Sequence, residues 1–174
     1  MCWSRLQKRS APWASPPKSI EMTEEIVPFQ LVTLENDENV MPLVEAELNG
    51  FPIRLVVDTG ASHTCLDKSA VRRCIPSALQ RKRFSVREED SAAADTVMGL
   101  GGRRLSHVLC MVNGFKIGNL VISDYRVVAV RLTNINKMLR FIGQEPIDGL
   151  MGCDLLSQYH ASMDFGTMTI SFCR

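Results

Sequence analysis

One carboxylate in this sequence stands out by its surroundings. Asp58 ends the apolar run Leu55-Val56-Val57 and opens the stretch Asp58-Thr59-Gly60-Ala61-Ser62. A strand on this pattern delivers the acid into a largely apolar setting, where a lone charge must find a partner or keep its proton. Acids perturbed in this way concentrate where proton-transfer chemistry is done. Other reactive residues assemble less well. Ser62 and His63 are adjacent, so a strand would point them to opposite faces, and His107 and His160 have no identifiable triad partners. His63, Cys65 and Cys74 do not make a recognisable metal pattern, and neither metal nor cofactor is expected. The glycines Gly99, Gly101 and Gly102 lack the lysine of a P-loop and the third spaced glycine of a dinucleotide fingerprint. Asp164-Phe165-Gly166 has no kinase signature around it and reads as an ordinary turn.

The elements that must position Asp58 are mostly strands. A first strand is expected over 26–34, followed by a polar turn over 35–39. Val44, Ala46 and Leu48 alternate with Glu45 and Glu47, the period of a half-buried strand. Asn49-Gly50 then supplies a pair favoured in tight hairpins, where both central residues take positive φ. Asp58 thus ends the second arm of a hairpin. Val112-Asn113-Gly114-Phe115-Lys116-Ile117 repeats Leu48-Asn49-Gly50-Phe51-Pro52-Ile53, which suggests a second hairpin and a weak internal duplication. Short helices are expected over 67–78 with Asp67 as N-cap, over 134–141 with Asn134 or Asn136 as cap, and over 153–160. Residues 81–95 have the composition of an exposed loop, and 163–172 that of a terminal strand.

The 174 residues suit one ordinary domain, placed at 25–174, with 1–24 a disordered tail or a start mis-assigned ahead of Met22. Apolar residues are 45% and charged residues 22%, which argues against a disordered or fibrous chain, and a net charge of +1 does not suggest a nucleic-acid partner. No apolar run reaches transmembrane length, so no membrane partner is expected. Six scattered cysteines without a C-x-x-C pair, and no secretory signal, favour free thiols in a reducing cytoplasmic setting. The acid-free, basic segment 1–20 is also compatible with an organelle-targeting peptide.

Three features recur in order: Asp58-Thr59-Gly60-Ala61-Ser62 after an apolar strand, a glycine-rich stretch some forty residues later, and Ile147-Asp-Gly-Leu-Met-Gly152-Cys-Asp-Leu-Leu156. This set resembles the retropepsin-like aspartic proteases, the single-domain enzymes of retroviruses and their cellular and bacterial relatives, over roughly 40–174. The resemblance implies a mainly β, closed-barrel-like acid-protease fold with a glycine-rich flap hairpin and one to three short helices. By position Asp58 matches the catalytic aspartate. Thr59 matches the hydroxyl residue that hydrogen-bonds across a dimer, and Gly60 the residue that lets backbone and substrate approach. Ala61 stands where pepsin-type enzymes carry a hydroxyl, which implies a weakly acidic optimum rather than a strongly acidic one. Gly99, Leu100, Gly101 and Gly102 match the flap tip over the substrate, and Gly152 the glycine before the C-terminal helix. The segment 132–146 resembles an insert of bacterial relatives.

The resemblance also implies a mechanism with two carboxylates sharing one proton. With a single Asp-(Thr/Ser)-Gly in the chain, the implied enzyme is a homodimeric aspartic endopeptidase acting on a polypeptide substrate. The rival is a non-catalytic peptide-binding or dimerisation module on the same fold.

Overall fold

The structure is a computed structural model that describes residues 23–33, 40–75 and 108–174. Among them are eleven strands and three short helices. β1 (Glu24–Thr33), β2 (Val40–Leu48) and β3 (Phe51–Val57) lead to the Asp58 loop, after which β4 (Cys65–Asp67) runs into helix α1 (Lys68–Cys74). The chain re-enters with β5 (Val108–Val112), β6 (Phe115–Ile117), β7 (Leu120–Ile122) and β8 (Tyr125–Val130). Helix α2 (Thr133–Phe141), β9 (Gly149–Met151), helix α3 (Cys153–Gln158), β10 (Ser162–Asp164) and β11 (Thr169–Cys173) complete it. The expectation of a mainly β chain with a few short helices holds. The sheet order is β10-β11-β1-β2-β3-β9-β4-β8-β5, with β6 against β2 and β7. The described ends of that path do not pair, so the sheet is open rather than a closed barrel.

Two apolar clusters cover the two faces of this sheet. Ile53, Leu55 and Val57 of β3 enter the larger one, with Val44, Leu48, Phe115, Leu155 and Phe172. Val56 enters the smaller, with Leu43, Cys65, Val128 and Leu139 of α2. Both faces of β3 are therefore buried near its end, which is why the run before Asp58 is apolar without alternation. Each fully buried Leu, Ile or Val contributes roughly 1.5–3 kcal/mol of transfer free energy.

Turn chemistry explains where elements stop, and in places corrects the sequence reading. Asn49 and Gly50 sit at φ 52° and 81°, and β2 and β3 pair from Leu48↔Phe51 back to Leu43↔Val56, as expected of a tight hairpin. The second Asn-Gly behaves differently. Gly114 has φ 69° but Asn113 is not in the left-handed region, and the strands on either side do not pair with each other. β5 pairs with β8, whereas β6 crosses to β2, with Leu48↔Phe115 in register. The two Asn-Gly turns meet instead of repeating: Asn49 N–H donates to the Gly114 carbonyl at 3.0 Å. The Asn113 side chain is occupied locally, accepting from Asp124 N–H at 2.8 Å.

Asp67 caps α1 as expected, accepting from Ser69 N–H at 2.7 Å and from the Ser69 hydroxyl. For α2 the N-cap is Leu132, with no side-chain cap bond, and neither Asn134 nor Asn136 caps it. Asn136 lies inside the helix, buried, and its amide pairs both ways with the Ile147 backbone, at 2.9 and 3.0 Å. The terminal strand is split: β10 and β11 form a hairpin across residues 165–168, where Asp164 accepts from Gly166 and Thr167 N–H. That is the ordinary turn expected of Asp164-Phe165-Gly166. The flap residues Gly99, Leu100, Gly101 and Gly102, the loop 81–95 and residues 1–22 of the tail expected over 1–24 lie outside the described residues, while Glu24 already belongs to β1.

Candidate active site

β9 builds the site by entering between β3 and β4. It runs parallel to β3 (Val57↔Met151) and antiparallel to β4 (Cys65↔Leu150), so both chain segments flanking the Asp58 loop are fastened to one three-residue strand. Asp58 N–H donates to the Met151 carbonyl at 3.0 Å. Just beyond, Cys153 N–H donates to the Ala61 carbonyl at 2.8 Å and Asp154 N–H to the Ser62 carbonyl at 3.2 Å. The loop 58–63 is thus held by backbone bonds along its length, which fixes where the carboxylate points.

Such close crossing needs glycine. A Cβ on Gly152 would lie 2.5–2.8 Å from backbone atoms of His63 and Thr64, and one on Gly149 would collide with the Cys65 carbonyl. Gly152 has φ −92°, so the constraint is space and not conformation. Gly152 lies at the N-cap of α3, directly after β9, and the sequence gave no sign of Gly149's role beyond its place in the motif.

Beneath the loop, Thr64 is fully buried. Its N–H and hydroxyl both donate to Asp154 Oδ1 at 2.8 Å, and Gly152 N–H donates to the Thr64 hydroxyl at 3.1 Å. Asp154 Oδ1 also accepts from Leu155 N–H at 2.8 Å, and Oδ2 lies 3.8 Å from His63 Nδ1. The sequence reading did not single out Thr64 or Asp154; a buried threonine six residues past Asp58 shows itself only once β9 and α3 are folded against it. The Tyr125 hydroxyl is buried close to Thr64 and Asp154 without alignment for a hydrogen bond, and burial pushes its phenol well up. Burial, followed by the charges of Asp154 and Asp58, pushes the Cys65 thiol up to about 11, which leaves it an unreactive core group.

Asp58 itself is half-buried, at the edge of the apolar setting rather than inside it. Its Oδ1 accepts from Gly60 N–H at 2.9 Å, the one hydrogen bond to its carboxylate among the described residues. A Cβ on Gly60 would sit 3.1 Å from that oxygen, so Gly60 leaves room for the acid and for whatever approaches it. Thr59 and Gly60 are exposed and Ala61 is half-buried. The Thr59 carbonyl accepts from Cys153 Sγ at 3.0 Å. The structure therefore brings Asp58, Thr59, Gly60, Ala61 and Gly152 into one junction.

The fold is retropepsin-like. A retropepsin-like aspartic protease from Rickettsia conorii shares the fold, with a TM-score of 0.51 at 16% identity over 89% of this chain and 95% of that one. The retroviral protease-like domain of Ddi1 from Leishmania major is also similar, with a TM-score of 0.46 at 18% identity over 72% and 82% of the respective chains. EIAV protease complexed with the inhibitor HBY-793 gives a TM-score of 0.47 at 18% identity over 77% and 100%. A search of curated proteins finds no match. At the level of sequence, residues 44–155 match the model of the aspartyl protease family, and the chain belongs to that family.

Proposed function

We propose that this protein is an aspartic endopeptidase in which the Asp58 carboxylates of two copies activate one water between them. The observation that carries this reading is the state of Asp58: a half-buried carboxylate, rigidly presented, with a single hydrogen bond, from Gly60, among the described residues. Membership of the aspartyl protease family supports the reaction class.

In the reaction, one carboxylate of the pair takes a proton from the water as general base while the other, protonated, donates to the scissile carbonyl oxygen. Water oxygen bonds to the carbonyl carbon. The resulting tetrahedral species collapses by breaking the C–N bond as the nitrogen gains a proton. Thr59, exposed on the loop, would meet its copy beneath the acids, and Gly99, Leu100, Gly101 and Gly102 would close over an extended peptide. The test is Asp58→Asn assayed on a diverse peptide mixture alongside thermal melting and sedimentation. Loss of cleavage with fold and association retained is expected; cleavage at the wild-type rate would sink the assignment. A non-catalytic binding module would instead bind peptides identically with aspartate or asparagine at 58 and cleave none.

A further inference from the structure

Helix α2 turns one face to the core and leaves the other uncovered among the described residues. Leu139 is fully buried in the smaller apolar cluster, with Ile135 and Ile142 packed against it. The buried Asn136 amide pairs both ways with the Ile147 backbone, so the helix cannot roll to hide its outer face. On that outer face Phe141 is 91% exposed and Met138 42%. Helical spacing sets Lys137 at i−4 and Met138 at i−3 of Phe141, and Arg140 at i+3 of Lys137, so the four form one continuous patch. An aromatic ring left this far in water forgoes the transfer free energy that burial would supply.

The charges around the ring are of one sign. Arg131, Lys137 and Arg140 are exposed, and none pairs with a carboxylate among the described residues. Glu145, the single acid between 131 and 146, is turned to Arg54 at 3.2 Å. Lys137 and Arg140 repel each other one turn apart, a cost that an anionic partner reverses. We propose that this face of α2 is a docking surface for an acidic polypeptide segment carrying an apolar side chain, and so a second foothold for protein substrates outside the Asp58 junction. The foothold role rests on the endopeptidase reading, whereas the binding itself does not. A polypeptide suits the patch better than a lipid surface does. Helices that lie on membranes bury a broad apolar face, but α2 gives its broad apolar face to the core and offers two side chains outside. Aromatic, Met and Arg side chains around a small apolar centre are the composition of protein interfaces. Asn136 also ties the helix to Ile147, two residues before β9, so a segment held on α2 is anchored beside the strand that fastens the catalytic loop.

Fluorescence anisotropy on the full Asp58→Asn chain, which keeps the probe from being cleaved, tests the surface directly. The probe is a labelled peptide of glutamates flanking a leucine–phenylalanine pair, and its control carries lysines in place of the glutamates. Saturable binding of the acidic probe is expected, weakening as salt is added. Lys137→Glu combined with Arg140→Glu should weaken it by about tenfold and tighten the lysine control, while Lys137→Arg with Arg140→Lys keeps the original affinity. Phe141→Ser should weaken the acidic probe by about tenfold through lost apolar contact. All of these positions are exposed, so melting temperatures should stay close to that of the parent chain. No saturable binding of the acidic probe, or binding that ignores both the charge reversal and Phe141→Ser, overturns the proposal. Binding to phosphatidylserine vesicles without binding to the peptide also overturns it and makes the face a lipid surface. With Asp58 in place, the charge reversal should raise KM for cleavable peptides that carry the acidic segment and leave kcat unchanged; an unchanged KM removes the foothold role. A chain that binds the acidic probe yet cleaves nothing removes the endopeptidase reading and upholds the docking surface.

Discussion

Asp58 and Asp154 stand on the two sides of one backbone junction, yet they are treated in opposite ways. Asp154 receives three donors on a single oxygen, from Thr64 twice and from Leu155, and its side chain is 24% exposed. Asp67, a few residues along β4, is more buried still and accepts from Ser69 and from Leu132 N–H at 2.7 Å. Among the described residues Asp58 accepts one bond, from a residue of its own turn. A carboxylate saturated by neighbouring donors is a fastener, because its lone pairs are spent on elements distant in sequence. A carboxylate held in place by its backbone but left short of donors is available to something outside the chain. At the junction Asp154 fastens Thr64 beneath the loop, while Asp58 keeps one donor among the described residues.

Breaking each acid in turn should separate these roles. The largest effect is on activity: Asp58→Asn is expected to lower peptide cleavage by about a thousandfold or more, with the melting temperature close to wild type, since it removes one weakly engaged carboxylate oxygen. Asp154→Ala should do the reverse, costing about 3–5 kcal/mol in urea unfolding because it strands the buried Thr64 donors. Residual activity should then fall in step with the folded fraction. Gly152→Ala leaves every acid in place but drives a methyl into the His63–Thr64 backbone. About 3 kcal/mol of destabilisation is expected, with the Asp58 loop displaced; an unperturbed melting curve would show that β9 does not fix the loop.

The smallest of the four concerns Asp67. Asp67→Ala should cost about 2–3 kcal/mol at neutral pH, from a lost helix cap and an unpaired Leu132 N–H. Burial alone would raise this acid, but donors from the Ser69 side chain and from the Leu132, Ser69 and Ala70 backbone hold it below its ordinary value of 3.8. The folded value is the lower one, so its stabilisation is complete above pH 3.8 and fades as pH falls through the folded value. The stability gap between wild type and Asp67→Ala should therefore narrow in strong acid. A gap that stays constant would remove Asp67 from the pH response.

Legibility in the sequence followed the range of the interaction. Asn49-Gly50 could be read because the positive φ of both turn residues is a local preference, and so could the Asp67 cap, whose donor is two residues away. Asn113-Gly114 carried the same letters and was misread. Its Gly114 carbonyl answers to Asn49 and its strand to β2, both more than sixty residues earlier. Asn136 failed as a predicted cap for a related reason, since its amide is claimed by Ile147, eleven residues ahead.

The order of Asp58, Thr59, Gly60 and the later Gly152, set against an unbroken apolar strand, was enough to determine the family, because its motifs constrain residue types over short spans. Tertiary structure alone decided that Thr64 and Asp154 carry the loop, that Gly149 and Gly152 let β9 through, and that the first and last described strands, β1 and β11, pair with each other. Those facts depend on segments some ninety to a hundred and fifty residues apart lying within bonding distance. A pattern of letters does not record which distant backbone a buried donor will meet.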